Sequence, residues 1–160
     1  VCGFDFKRHF MSKTFFTDTE QTQIIESIRL AELNTSGEIR LHIEAHCEGE
    51  PYTRAKIVFE ELGMHATEQK NGVLFYLAYT DHKFAILGDK GIHEKVSQQF
   101  WDAEKELLLT YFKQSKFAEG LCLAITQAGE KLKEHFPYQS NDTNELSNDI
   151  SFGKGGKNEI

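Results

Sequence analysis

Cysteine, long apolar runs and excess positive charge are all scarce in this chain, and each scarcity excludes something. Cys2, Cys47 and Cys122 are scattered, without CxxC or CxH spacing, so neither a disulfide framework nor a zinc ribbon is supported. A reducing compartment, the cytoplasm, is the expected setting. No stretch of about 18 apolar residues occurs, so no membrane-spanning helix is predicted and direct membrane insertion is not expected. Residues 1–10 mix Asp5, Lys7, Arg8 and His9 among phenylalanines, unlike the apolar core of a signal peptide. With 25 Asp+Glu against 18 Lys+Arg and a net charge of −7, the chain lacks the basic footprint a nucleic-acid partner demands. GxSxG, Walker A and GxGxxG patterns are missing, as are internal repeats.

At 160 residues the chain reads as one domain with a substantial core. Met11-Ser12-Lys13 resembles a natural start, so residues 1–13 are treated as an extension, 14–138 as the domain and 139–160 as a flexible tail poor in apolar residues. Thr17-Asp18-Thr19-Glu20 has capping-box spacing, and Ile24, Ile25, Ile28 and Ala31 follow at helical intervals. Glu38 to Glu44 alternates strictly, with Ile39, Leu41 and Ile43 on one face, and predicts a half-exposed strand. Ala55, Val58, Phe59 and Leu62 make a helical face that stops at Gly63. Val73 to Tyr79 is apolar enough for a central strand, and Thr80-Asp81-His82 leaves room only for a hairpin into Phe84–Leu87. One long amphipathic helix is predicted from Glu94 through Phe112, and another from Phe117 to Leu132, ending before Pro137. Gly120 and Gly129 in the latter suggest close helix packing. The sum is a three-layer α/β/α sandwich whose small mixed sheet contains a parallel βαβ unit and an antiparallel hairpin.

That topology sorts the polar candidates to the two ends of the sheet. Glu44, His46, Asp81 and His82 fall at one end. Ser36, Gly37, Glu38, Asn71, Gly72 and the run Gly88-Asp89-Lys90-Gly91 fall at the other. Carboxylates arriving from separate loops are the minimum for a hard-cation site of oxygen ligands. Asp81 also suits a plain hairpin turn, Glu38 the exposed face of its strand, and Asp89 the cap of a following helix. His42, His46 and His82 match no standard transition-metal spacing. Cys47 beside His46 is not by itself a nucleophile pair, and Cys122 lies on an apolar helical face.

Four ordered blocks carry a resemblance to a known family. They are Thr35-Ser36-Gly37-Glu38-Ile39-Arg40-Leu41-His42-Ile43-Glu44, Asn71-Gly72-Val73-Leu74, Ala85-Ile86-Leu87-Gly88-Asp89-Lys90-Gly91-Ile92, and Phe117 to Ile125, with His135-Phe136-Pro137-Tyr138 and Asn144-Glu145-Leu146 beyond them. Together they resemble the TPM domain family, in its soluble bacterial branch. The resemblance implies an α/β/α sandwich, calcium or magnesium binding in some relatives, a part in photosystem II repair for plant members, and a weak acid-phosphatase activity attributed to that plant branch. It favours Glu38, Asp89 and Asn71 as the ion-facing end, with Asp81 as the competing position. The expected function is a non-enzymatic module that binds a divalent cation, calcium or magnesium, with a protein partner beside it. A metal-dependent acid phosphatase, with Lys90 or Arg40 offsetting charge, is the alternative, and a scaffold without an ion is the third.

Overall fold

Thr17 starts the first helix by a reciprocal exchange: Glu20 N donates to Thr17 Oγ1 at 3.1 Å and Thr17 N donates to Glu20 Oε1 at 2.9 Å. In the computed structural model, which describes residues 15–138 and 146–153, this helix is α1 (Asp18–Glu32), and it buries Ile24 and Ile28. Strand β1 (Glu38–Glu44) follows, then α2 (Pro51–Glu61), with Pro51 in the first turn where its missing N–H costs nothing. Gly63 leaves α2 with φ at +69°, the left-handed conformation glycine adopts without strain. A single 3-10 turn at Met64–Ala66 leads to β2 (Gly72–Ala78), and a hairpin returns through β3 (Lys83–Gly88).

Three helices complete the chain's helical layer: the short α3 (Lys90–His93), α4 (Gln98–Lys113) and α5 (Phe117–His135). The single long helix expected from Glu94 is therefore divided. Ser97 accepts from Phe100 N at 3.4 Å and opens a fresh helix, leaving Val96 buried in the turn before it. The two α5 glycines are contact points. A Cβ at Gly129 would lie 2.5 Å from Ala31 Cβ on α1, and one at Gly120 would lie 2.7 Å from Tyr111 Cβ on α4.

The sheet has the order β3-β2-β1-β4, where β4 is Ser151–Phe152. β1 and β2 run parallel, pairing Glu38 with Gly72 and Glu44 with Ala78, while β2 and β3 are antiparallel, pairing Val73 with Gly88 and Ala78 with Lys83. The βαβ unit, the hairpin and the α/β/α layering expected from the sequence are all present. Ile39, Leu41 and Ile43 join Val73, Phe75 and Leu77 beneath α1, α4 and α5, and the opposite face carries Leu74, Tyr76 and Ala78 against Ala55, Val58 and Phe59 of α2.

Two expectations are corrected here. β1 is not half-exposed: every residue in it except Arg40 is buried, because residues 146–153 lie along Glu38, Arg40 and His42, and Arg54 of α2 closes over Glu44. Nor is the whole of 139–160 a free tail. Residues 146–153 form a strap across β1: β4 pairs parallel with His42 and Ile43, Gly153 N donates to Ile43 O at 2.7 Å, and Ile150 is buried in the main core. Its few apolar residues, Leu146, Ile150 and Phe152, are the ones that pack. The proposed N-terminal extension and the remainder of the tail, 139–145 and 154–160, lie outside the described residues.

Candidate functional site

The start of β1, the start of β2 and the end of β3 meet at one rim of the sheet. Glu38 N donates to Asn71 O at 3.3 Å, and Asp89 N donates to Gly72 O at 2.9 Å, so Glu38, Asn71 and Asp89 are placed on three neighbouring segments. Adjacent strands lie about 4.8 Å apart, which puts Glu38 and Asp89 two strand spacings from one another across β2. The loop before β2 is pressed against α3: a Cβ at Gly91 would lie 2.5 Å from Lys70 O, so only glycine fits there. Lys70 itself has φ at +52°, and its ammonium turns away to His65 O at 2.6 Å.

Acceptors without donors collect at this rim. Asn71 is 1% exposed; its Nδ2 donates to Ser36 Oγ at 3.2 Å, while its Oδ1 receives no hydrogen bond among the described residues. Asp89 caps α3 through Oδ1, which accepts from Lys90 N at 2.8 Å, and its buried Oδ2 has no donor among the described residues. The carbonyls of Gln69 and Lys70 face Gly91 and receive no donor among the described residues. A buried acceptor left bare costs about 1–3 kcal/mol, so a cation or a hydrogen-bond donor placed at Asn71 Oδ1 and Asp89 Oδ2 would be stabilised there. The donor set is oxygen only, the set that calcium and magnesium take. No group of three or more His, Cys, Asp or Glu able to hold a metal occurs among the described residues, so amide and backbone oxygens would make up much of any such shell.

Glu38 is differently employed. It is 3% exposed and its Oε1 accepts from Leu146 N at 3.2 Å, fastening the start of the strap. Glu32 of α1 lies close by, accepting from Ile39 N at 2.7 Å; burial pushes its carboxyl up to about 8 against the lowering effect of that bond, and the Glu38 charge adds to the rise. Arg40, half-buried, donates to Asp149 O at 3.3 Å.

At the opposite end, Asp81 ties the hairpin to the loop after β1. Its Oδ2 accepts from Cys47 N at 2.8 Å and its Oδ1 meets His46 Nδ1 at 3.1 Å; the Cys47 N–H and then His46 hold its carboxyl below the usual range. His82 takes φ at +55° in the turn. Among the histidines, His46 stays with Asp81 and His42 is buried elsewhere, so the three do not gather.

Sequence reasoning left one feature unassembled: a buried polar network beneath α2. Arg54 grips Glu44 with two bonds, Nε to Oε2 at 2.8 Å and Nη2 to Oε1 at 2.9 Å, and the Tyr76 hydroxyl donates to Glu44 Oε2. His42 Nε2 is 3.3 Å from Glu44 Oε1 and its Nδ1 is 2.9 Å from Ser151 Oγ. An ionised carboxylate can only accept, so Nε2 is the ring nitrogen that donates to Glu44. Burial opposes the Glu44 charge, but bonds from Arg54, His42 and Tyr76 outweigh it and hold the carboxyl at about 2. Burial, then the Glu44 contact, drives the Tyr76 phenol well above its ordinary value. The available signal was the four polar residues on one face of β1 opposite an entirely apolar β2.

A mixed sheet sandwiched between helices defines an α/β/α domain. A family model described as the TPM domain matches residues 11–131, and the chain belongs to that family. Among solved structures, the BA42 protein from the psychrophilic bacterium Bizionia argentinensis is 45% identical, with a TM-score of 0.82, covering 87% of this chain and 96% of its own. The N-terminal domain of the cg2496 protein from Corynebacterium glutamicum shares the fold at 15% identity and a TM-score of 0.59, over 73% of this chain and 74% of its own. The chain matches no curated protein. No helix among the described residues is long and apolar enough to cross a membrane.

Proposed function

We propose that this TPM domain is a non-enzymatic module that takes a divalent cation, calcium or magnesium, at the rim formed by Asn71 and Asp89, and engages a protein partner beside it. The observation that carries the reading is the pair of donorless side-chain oxygens, Asn71 Oδ1 and Asp89 Oδ2, on segments locked together by the Asp89 N to Gly72 O bond. Hard cations select such oxygens, and the Gln69 and Lys70 carbonyls extend the set. With one carboxylate, one amide and water completing the shell, affinity belongs in the weak range, about 10⁻⁴–10⁻³ M. Glu38, at the start of β1 and bound to the strap through Leu146 N, contributes negative potential rather than a direct bond.

Calcium and magnesium titrations followed by amide shifts test this. Shifts centred on residues 69–72 and 88–91 are expected, and Asp89→Asn should weaken binding about tenfold while keeping the cap, since Asn caps helices as well as Asp. Shifts at Asp81 and His46 would move the site to the other end of the sheet. Phosphate-ester turnover that Asp89→Asn abolishes at unchanged fold stability would replace the binding role with metal-dependent acid-phosphatase chemistry.

A further inference from the structure

β3 is an outer strand of the sheet, and its outward edge lies in a groove of about 240 Å³. Asp89 N bonds Gly72 O, which makes that pair a hydrogen-bonded one. Antiparallel pairs alternate, so Leu87 and Ala85 also direct their backbone groups to β2. Phe84, Ile86 and Gly88 must then direct theirs away from it, and all three line the groove. Their N–H and C=O groups have no backbone partner among the described residues.

Sheet edges are ordinarily blunted by inward charges, proline or bulges. Phe84-Ala85-Ile86-Leu87-Gly88 carries none of the charges and no proline, and it pairs with β2 in unbroken register. The protection here is steric. The start of α2 walls one side with Glu50 and α4 walls the other with Trp101 and Lys105, so the β3 edge lies between two helical elements. The walls differ in charge, and neither Glu50 nor Lys105 has an ion-pair partner among the described residues.

We propose that this groove binds an extended peptide segment of a partner protein, added as a strand beside β3 through the outward backbone groups of Phe84, Ile86 and Gly88. Successive side chains of an added strand point to opposite faces of the sheet. One set meets the α4 wall and the other the α2 wall. The favoured segment therefore carries an acidic side chain toward Lys105 and a basic one toward Glu50, at an odd separation in its sequence, among β-branched residues.

The test uses the full chain and a capped peptide of about eight residues, valine and threonine with one aspartate and one lysine at odd separation. Binding should slow hydrogen exchange at the Phe84, Ile86 and Gly88 amides by about tenfold or more. N-methylation of alternate peptide residues should abolish binding in one phase and be tolerated in the other, which separates strand addition from side-chain capture. Lys105→Glu, on an exposed position outside the cation rim, should weaken binding about fivefold, and moving the peptide's acid to a base at that position should restore it. Ile86→Pro removes an outward donor and spares the β2 ladder, whose unchanged β2 exchange rates confirm the fold. No protection of the three amides at about 1 mM peptide overturns the proposal. So does equal loss from both N-methyl phases. Concentration-dependent dimerisation that protects the same amides without peptide assigns the edge to a second copy and overturns it as well.

Discussion

Glu104 is buried in α4 at 1% exposure, and neither carboxylate oxygen has a hydrogen-bond partner among the described residues. Burial pushes its carboxyl up from 4.5 to about 8. The folded state thus keeps a proton that the unfolded chain releases near pH 4.5. Stability should fall as pH rises through that interval, by about 1.4 kcal/mol per unit, and level off above about pH 8 where the folded carboxyl also ionises. At pH 7 the accumulated loss is about 3 kcal/mol, a large share of the net stability of a domain this size. Glu104→Leu removes the titrating group and keeps the volume nearly constant. The variant should gain about 3 kcal/mol more at pH 7 than at pH 4.5, on top of a pH-independent gain from deleting an unpaired carboxyl. In a chain of 160 residues that is a rise in Tm of about 6–12 °C at pH 7 relative to the rise at pH 4.5. Urea unfolding of both proteins between pH 4.5 and 9 measures the difference curve. A flat curve would refute the buried, unpartnered carboxyl and point to a cation or water supplying its missing bonds. Glu32, raised in the same direction, leaves a shallower slope of the same sign in the variant.

Other perturbations follow from named contacts. Arg54→Ala strips Glu44 of its two-pronged partner and should cost about 3–5 kcal/mol in urea unfolding at pH 7, with Glu44→Gln added to it restoring part of the loss. Because the Glu44 carboxyl is held down at about 2, the stability it confers is present above about pH 4.5 and fades as pH falls toward 2; an acid titration of Glu44→Gln should lack that step. Gly91→Ala forces a methyl against Lys70 O and should destabilise by more than about 2 kcal/mol while shifting the Asn71 and Asp89 amides, whereas unchanged shifts would mean the two loops are not pressed together.

The elements were legible where local signals agreed with the fold. The Thr17 capping box, the Glu38–Glu44 alternation and the apolar run of β2 each fixed an element within a residue or so, since periodicity and caps act on the chain nearby. What escaped depends on distant partners. The polar face of β1 looks solvent-facing until α2 and the strap are laid over it, and nothing local to Glu44 announces Arg54 or Tyr76. The strap is too short and too polar to register as a strand; Ile150 and Phe152 gain meaning only from the core that receives them. At the rim, the gathering of Asn71 and Asp89 was legible from strand order, but the commitment of Glu38 to Leu146 was not, because it spans 108 residues. Glu104 was invisible as a buried acid because the charges around it in the helix read as a polar face, although it stands between Trp101 and Leu108 on the buried stripe.

The strap sets an order of assembly. Ser151 meets His42 across 109 residues of chain, while the βαβ unit and the hairpin close over far shorter loops. Loop-closure entropy therefore favours a three-stranded intermediate in which Ile43 still shows an unpaired edge, and the ribosome must deliver the distal segment before that edge is sealed. Until then the edge of β1 is bare as well as that of β3, and exposure to stray strand pairing is greatest in that interval.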